Sequence, residues 1–236
     1  MDVDSPLQGS YIAINTKITG MEKKTMAKGR PRAFDECTAL DDAMEVFWRQ
    51  GYDGASIADL TAAMGISAPS LYAAFGNKEG LFRAVLERYD EEQAGIRQRM
   101  LDAPTSREAV AMFLKDVAEK ATKPGEPPGC LLLQGGLAVS EEAADIPQEL
   151  ARCRASAEMV LRTRIECGAA SGELAEGADP AALARYVTAV SNGMCVQAAA
   201  GATRAELLQT AELALAVWPT RAAPAKRAKR ANRKAA

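Results

Sequence analysis

The chain has 236 residues, of which 48% are hydrophobic, and this is enough to bury the core of one or two domains. It contains no histidine, no phosphate-binding glycine loop with a following Lys and Ser or Thr, and no cysteine pair at metal-ligand spacing. We therefore expect no enzyme activity, no cofactor and no metal site. No apolar run reaches the roughly 18 residues that a membrane span needs, and five widely spaced cysteines indicate reduced thiols, so we expect a cytoplasmic protein.

The formal net charge of −2 conceals an uneven distribution. Residues 1–35 carry six basic and four acidic side chains, residues 221–236 carry seven basic and none acidic, and the residues between carry 16 basic and 27 acidic. A negative body repels DNA over most of its surface. Any DNA contact should therefore be confined to an N-terminal module, to helix N-termini and to the tails.

The N-terminal residues show no helical or strand periodicity. We predict a disordered extension over residues 1–28, with Met21 or Met26 as the natural start of the chain. Arg30 and Arg32 follow in a short basic arm that could reach phosphates or a narrow minor groove. The alternative is a solvated tail without function.

The first predicted helix begins after a capping residue, Asp35, and ends at Gly51. Its apolar positions recur with helical spacing at Leu40, Ala43, Met44, Phe47 and Trp48. We interpret this helix as a brace behind the segment that follows.

Residues 56–75 have the pattern of a helix-turn-helix. Ser56 and Asp59 form a capping-box signature, and Gly65 permits the sharp turn that ends the first helix of the pair. Ser67 is the expected cap of the second helix, whose apolar side is Leu71 and Phe75.

The second helix of this pair presents an outward face of mainly small residues, namely Ala68, Pro69, Ser70, Tyr72 and Ala73. Small side chains near a helix N-terminus allow the helix to lie deep in the major groove of DNA. The alternative is an ordinary helical hairpin in a soluble bundle. After it, Gly76 and Asn77 should start a fourth helix, in whose first turn the positive charge of Lys78 suits a phosphate contact.

Several of these motifs together resemble the N-terminal domain of the tetracycline-repressor (TetR) family. They are Gly29-Arg30-Pro31-Arg32, Phe47-x-x-x-Gly51-Tyr52, the segment 56–75, and Ser70-Leu71-Tyr72-x-x-Phe75-x-Asn77-Lys78-Glu79-x-Leu81. The resemblance implies an all-α protein, with a three-helix helix-turn-helix domain followed by a helical ligand-binding and dimerisation bundle. It also implies a sequence-specific regulator, a ligand-relieved repressor that binds a near-palindromic operator as a homodimer.

The residues and the resemblance together give a set of candidate contacts to double-stranded DNA. These are Arg30, Arg32, Ser56, Ser67, Ala68, Pro69, Ser70, Tyr72 and Lys78. The predicted domain bounds are 29–93 for the DNA-binding domain, 94–219 for the regulatory domain and 220–236 for a disordered basic tail. An architectural protein that binds DNA mainly through this tail is the alternative function.

The regulatory region should be helical throughout. We predict a fourth helix to about Leu101, a fifth capped by Thr105, a short buried segment at 129–138 that is a helix or an isolated strand, and a long helix over 146–170. Most arginines of that long helix should be solvated, although Arg154 or Arg162 could face inward.

Two further helices open with cap signatures, Asp179-Pro180 and Thr203 with Glu206. The first should bury Leu183, Tyr186, Val187, Val190 and Met194. The resemblance implies that the pair, residues of about 179–217, forms a four-helix dimer interface, and ordinary intrachain core is the alternative. An unknown small-molecule effector should lie among helices four to seven. Possible pocket residues are Met112, Phe113, Leu133, Met159 and Leu161. No effector-binding residue is assigned, because a Met or Phe at helical spacing is more often plain core.

Overall fold

A computed structural model describes residues 34–136, 140 and 143–221. Within these ranges the chain forms nine α-helices and no strand beyond an isolated bridge between Leu174 and Thr220. The helices are α1 (Glu36–Gly54), α2 (Ile57–Ala63), α3 (Ala68–Phe75), α4 (Lys78–Leu101), α5 (Ser106–Ala121), α6 (Leu131–Gln134), α7 (Asp145–Ala170), α8 (Pro180–Ala199) and α9 (Arg204–Ala216). The all-α prediction is confirmed.

Most helices start where a local capping signal predicts. The side chains of Asp35, Thr105 and Asp179 accept hydrogen bonds from backbone N–H groups of the first turns of α1, α5 and α8. Thr203 and Glu206 complete a full capping box on α9. Gly51 has φ 72° and interrupts α1, so the regular part of that helix ends where the sequence predicts.

The apolar side chains gather in two clusters. The first cluster contains residues of the four helices α1, α2, α3 and α4. Its central side chains, Phe47, Leu60, Leu71 and Phe82, are fully buried. Leu131 of α6 and two residues of α7 also belong to it. The second cluster joins the C-terminal part of α4 to α5 and α7–α9. Because α4 and α7 contribute to both clusters, the two parts of the molecule share continuous helices.

Three details differ from the sequence-based expectations. The segment 129–138, predicted as a short buried helix or an isolated strand, contains only the four-residue α6, in which Leu131 is fully buried. Residues 137–139 lie outside the described residues. Tyr186 is 39% exposed rather than buried. Arg164, expected to be solvated, is buried and donates a hydrogen bond of 2.9 Å to the Ala103 carbonyl.

None of the helices in the described part of the chain is long and apolar enough to cross a membrane.

Candidate nucleic-acid interface and adjoining cavity

The turn between α2 and α3 is fixed by local hydrogen bonds. The Asp59 N–H donates to the Ser56 hydroxyl oxygen at 3.0 Å, and the Ser56 N–H donates back to the Asp59 carboxylate at 3.3 Å. This is the capping box that the sequence predicts. The Ser56 hydroxyl also donates to Asp59 at 2.6 Å, so most of its hydrogen-bonding capacity is used within the protein.

Gly65 makes the turn itself, with φ 62°, a conformation that glycine adopts at little cost. Leu60 and Leu71 are fully buried beneath α2 and α3, and Ile66 and Phe75 pack against the same cluster while partly buried. These anchors hold the two helices against α1 and α4. The helix-turn-helix therefore has a rigid base.

The outward surface of α3 matches the prediction. Pro69, Tyr72 and Ala73 are exposed, and Ala68 and Ser70 are partly exposed. Tyr72 is the largest of these side chains and is 49% exposed. A short helix that presents small residues and one aromatic side chain can approach base edges and phosphates closely.

Two serines meet at the N-terminus of α3. The Ser70 N–H donates to the Ser67 hydroxyl at 3.3 Å, and the two hydroxyls lie 2.9 Å apart. Ser67 is therefore the cap of α3, as predicted. Each hydroxyl retains capacity for a further hydrogen bond.

Lys78 lies in the first turn of α4 and folds back over α1. Its Nζ lies 4.6 Å from the centroid of the Tyr52 ring and donates to the Asp53 carbonyl at 3.4 Å. Burial lowers the pKa of Lys78, and the charge of Asp53 acts in the opposite sense. An anion at this position would stabilise the charged lysine.

The structure thus describes seven of the nine candidate DNA contacts, and places them on the α2 cap, on α3 and at the start of α4. Arg30 and Arg32 lie outside the described residues, as do the N-terminal extension and the basic tail from residue 222.

A cavity of about 150 Å³ lies between α4, α5, α7, α8 and the segment before α6. Its wall is mainly apolar and includes Leu86, Ile96, Met100, Phe113, Val117 and Leu161. Several of its charged side chains are already paired: Arg97 binds Asp90 at 2.6 Å, and Lys120 binds Asp116 at 3.0 Å. An apolar cavity of this volume accommodates a molecule of about the size of benzene.

The short helix α6 connects this cavity to the helix-turn-helix. The side-chain amide oxygen Oε1 of Gln134 accepts hydrogen bonds from the Trp48 indole N–H at 2.7 Å and from the Cys130 backbone N–H at 3.2 Å. The Tyr52 N–H donates to the Gly135 carbonyl at 2.9 Å. Since Cys130 lines the cavity and Trp48 and Tyr52 belong to α1, one short segment contacts both sites.

Sequence reasoning did not find this connection, nor the side chains Tyr89, Cys130 and Cys195 in the cavity wall. Of the five residues named as possible pocket residues, Phe113, Leu133 and Leu161 line the cavity, whereas Met112 and Met159 do not. The only available signal for the missed group was the apolar run at 129–133 directly after the Pro-rich break, which contains Cys130.

A rigidly capped helix-turn-helix, set on a helical bundle with a cavity in its core, defines a DNA-binding transcriptional regulator. Residues 39–85 match the family model described as bacterial regulatory proteins, tetR family. The chain belongs to the TetR family of transcriptional regulators.

Three relatives illustrate the similarity. The HTH-type transcriptional repressor ComR of Escherichia coli (strain K12) is 36% identical over 195 residues, which cover 82% of this chain and 93% of that protein. The structure of CifR, a TetR family regulator complexed with 26-base-pair operator DNA, is 43% identical, covers 80% of this chain and 100% of that chain, and superposes with a TM-score of 0.77. A TetR regulator of Rhodococcus sp. RHA1 is 45% identical over 79% of this chain and 100% of that chain, with a TM-score of 0.55.

Proposed function

We propose that this protein is a repressor that binds a near-palindromic operator as a homodimer and is released by a small effector. The observation that carries the proposal is the exposed surface of α3, on which small residues surround Tyr72 above a fully buried Leu71. Ala68, Pro69 and Ser70 would meet base edges, while Ser67, Tyr72 and Lys78 would bind phosphates. Ser56 would act mainly by holding α2, because its hydroxyl already bonds Asp59.

Two relatives support operator binding and repression. ComR is named a transcriptional repressor, and a solved structure of a CifR cysteine mutant is complexed with double-stranded operator DNA. Since operators lie on chromosomal or plasmid DNA, we place the activity of this protein in the cytoplasm. Arg30 and Arg32 would extend the contact from the helix-turn-helix into the flanking groove.

The proposed dimer surface consists of α8 and α9. Val196, Leu213 and Val217 are 62%, 72% and 68% exposed in the single chain, although each is apolar. Val196 lies on α8, Leu213 lies on α9, and Val217 directly follows α9. A large exposed apolar patch marks a protein interface, and we propose that these side chains belong to one. A two-fold dimer would place two copies of α3 on successive half-sites.

The effector would occupy the cavity among α4, α5, α7 and α8. Its small volume and mainly apolar wall favour a small, mainly apolar molecule. An effector that favours a conformation with misplaced α3 helices weakens DNA binding, and DNA weakens effector binding by the same factor. The segment of α6 provides a physical contact between the two sites.

The first test is a titration of the purified protein into labelled DNA from upstream of its own coding region, followed by anisotropy at two salt concentrations. A shuffled fragment of equal length is the control. We expect a preference of about a thousandfold or more for the native fragment, because a thousandfold is about the lowest ratio of specific to non-specific affinity that is typical of sequence-specific DNA-binding proteins. Equal binding to both fragments at every salt concentration would contradict specific recognition there.

The alternative, an architectural protein acting through its basic tail, makes a different prediction. Such a protein binds all sequences alike and tolerates Tyr72→Ala and Lys78→Gln. Deletion of residues 222–236 separates the two. In a specific reader it lowers the salt dependence and part of the affinity but keeps the preference for the native fragment, whereas in an architectural protein it removes most of the affinity.

A further inference from the structure

Two cysteines from distant parts of the chain meet in the wall of the cavity. Cys130 lies directly before α6, and Cys195 lies on α8; both line the cavity. The backbones are also close, since a Cβ placed on Gly129 would lie 3.1 Å from the Cys195 carbonyl oxygen. The Tyr89 hydroxyl lies 3.3 Å from the Cys130 sulfur.

The surroundings make the two thiols chemically different. A hydrogen bond from the Cys195 thiol, opposed by burial and assisted by the Tyr89 hydroxyl, lowers the pKa of Cys130 to about 6. The same hydrogen bond, together with burial, raises the pKa of Cys195. Near neutral pH the pair therefore consists of a thiolate beside a thiol, which is the arrangement of an attacking and a resolving cysteine.

We propose that Cys130 and Cys195 form a dithiol site that reacts with small hydroperoxides and closes to a disulfide. In the first step the Cys130 thiolate attacks the peroxide, the O–O bond breaks, and the leaving oxygen takes a proton to become water or an alcohol. The product is a Cys130 sulfenic acid. In the second step the Cys195 sulfur attacks it, an S–S bond forms, and the thiol proton leaves with the hydroxyl as water. The two thiols lose two electrons in total, and the peroxide gains them.

The cavity gives this site selectivity. Hydrogen peroxide is much smaller than the space of about 150 Å³, so it can reach sulfur atoms that bulky thiol reagents cannot. Cys37 is exposed on α1, and burial raises the pKa of Cys153. Neither combines a stabilised thiolate with a neighbouring thiol in the way that Cys130 does.

Closure of the disulfide would act on the helix-turn-helix, and this step rests on the proposed repressor function. An S–S bond is about 2.05 Å long, so the two sulfurs, whose hydrogen bond is the main cause of the lowered Cys130 pKa, must move closer together. The Cys130 backbone N–H bonds Gln134, which also holds the Trp48 indole, and Tyr89 packs edge-on against Trp48 with ring centroids 5.8 Å apart. Displacement of Cys130 therefore disturbs two contacts of Trp48 in α1.

The test treats fully reduced full-length protein with a few equivalents of hydrogen peroxide, then measures intact mass, disulfide-linked peptides and operator affinity. We expect a mass loss of two hydrogens, a Cys130–Cys195 cross-linked peptide, and an operator affinity reduced at least about tenfold, within the range typical of coupled sites. Dithiothreitol should restore both the mass and the affinity.

Three variants sharpen the test. Cys195→Ser should stop at the sulfenic acid, seen as one added oxygen on the peptide that contains Cys130, and Cys130→Ser should show neither this product nor the disulfide. The matched control Cys37→Ser should behave as the wild type does, and circular dichroism of each reduced variant establishes that it is folded.

Two results would overturn the proposal. One is oxidation that leaves Cys130 and Cys195 as free thiols, and the other is a complete disulfide with unchanged operator affinity. Failure of the proposed repressor function has a different readout. In that case the reduced protein would bind no DNA fragment preferentially, whereas peptide mapping would still show whether the disulfide forms.

Discussion

Lys78 is a residue whose position favours DNA binding more than the stability of the free protein. A positive charge in the first turn of a helix opposes the helix dipole, and burial lowers its pKa further. The Tyr52 ring and the Asp53 carbonyl compensate in part. A DNA phosphate would supply the missing negative charge.

Replacement of Lys78 by Gln should therefore weaken binding to every DNA sequence by a similar factor, because a phosphate contact carries no base information. We expect the slope of log affinity against log salt to fall by about one for each Lys78 removed. Lys115→Gln, a similar change at an exposed lysine of α5, is the control and should leave the slope unchanged. A change in base preference would contradict a pure phosphate role.

Glu173 links pH to stability. Burial alone would raise its pKa, but the Ser106 N–H at 2.5 Å, the Arg164 guanidinium at 3.4 Å and the Ser171 hydroxyl at 3.2 Å hold the carboxylate ionised, so the net shift of the pKa is downward. A lowered folded-state pKa stabilises the protein above the unfolded-state value, and this stabilisation disappears as pH falls through the folded-state pKa.

We predict that Glu173→Gln lowers the free energy of unfolding at pH 7, and that its difference from wild type shrinks as pH falls below the ordinary glutamate pKa of about 4.3 towards the lowered folded-state pKa. Urea unfolding at several pH values measures this. Glu166→Gln, at an exposed carboxylate paired with Arg162, is the control and should be nearly neutral at every pH. If the difference in unfolding free energy between wild type and Glu173→Gln grew as pH falls, the folded-state pKa of Glu173 would be raised rather than lowered, and the prediction would be wrong.

At the scale of elements, two helices begin with the same device. Ser56 with Asp59 caps α2, and Thr203 with Glu206 caps α9, each with both reciprocal hydrogen bonds. The two capping boxes differ in their surroundings. The helix α2 directly precedes and supports α3, whereas α9 lies near the opposite end of the chain.

Ser56→Ala and Thr203→Ala should each lower the free energy of unfolding by about 1 kcal/mol, the usual value of a lost cap. Ser56→Ala should reduce operator affinity more than Thr203→Ala does, since α2 packs directly beside α3. Chemical unfolding and the operator titration, performed on both variants, separate the two effects. Equal operator affinity in both variants would show that the α2 cap has no influence on the reading surface.

Local signals explain why so much of the helical layout was predictable. Caps such as Asp35, Ser67 and Asp179 bond to groups two or three residues away, so sequence spacing alone identifies them. Contacts between distant residues leave no such spacing. The burial of Arg164 against Ala103 and the hydrogen bond between Trp48 and Gln134 depend on how helices pack, and the sequence therefore did not predict them.

The same distinction applies to the sites. The candidate DNA contacts follow from a contiguous segment with a recognisable motif, although their roles stay predictions. The cavity is formed by five elements that are spread over the chain, so its volume and lining could be read only from the packed structure.

At the scale of the whole molecule, the exposed apolar side chains of α8 and α9 predict self-association. Leu213→Glu places a charge on a surface where Leu213 is 72% exposed in the single chain, and burial of an unpaired charge in a dimer is costly. We expect the variant to sediment as a monomer and to lose most of its operator affinity. Met159→Glu, at a 51% exposed residue of α7, is the control and should remain dimeric. If the Leu213→Glu protein remained dimeric, the dimer interface would not include Leu213.

The chain contains two tryptophans, and the fold distributes them unequally. Trp218 is buried in the second cluster, whereas Trp48 bonds Gln134 beside the cavity and packs against Tyr89. With Trp218 replaced by Phe, the tryptophan fluorescence of the protein would come from a single indole at the contact between the two parts of the molecule. The regulator thus contains its own optical reporter, with which movement of α6 can be followed in real time without any attached dye.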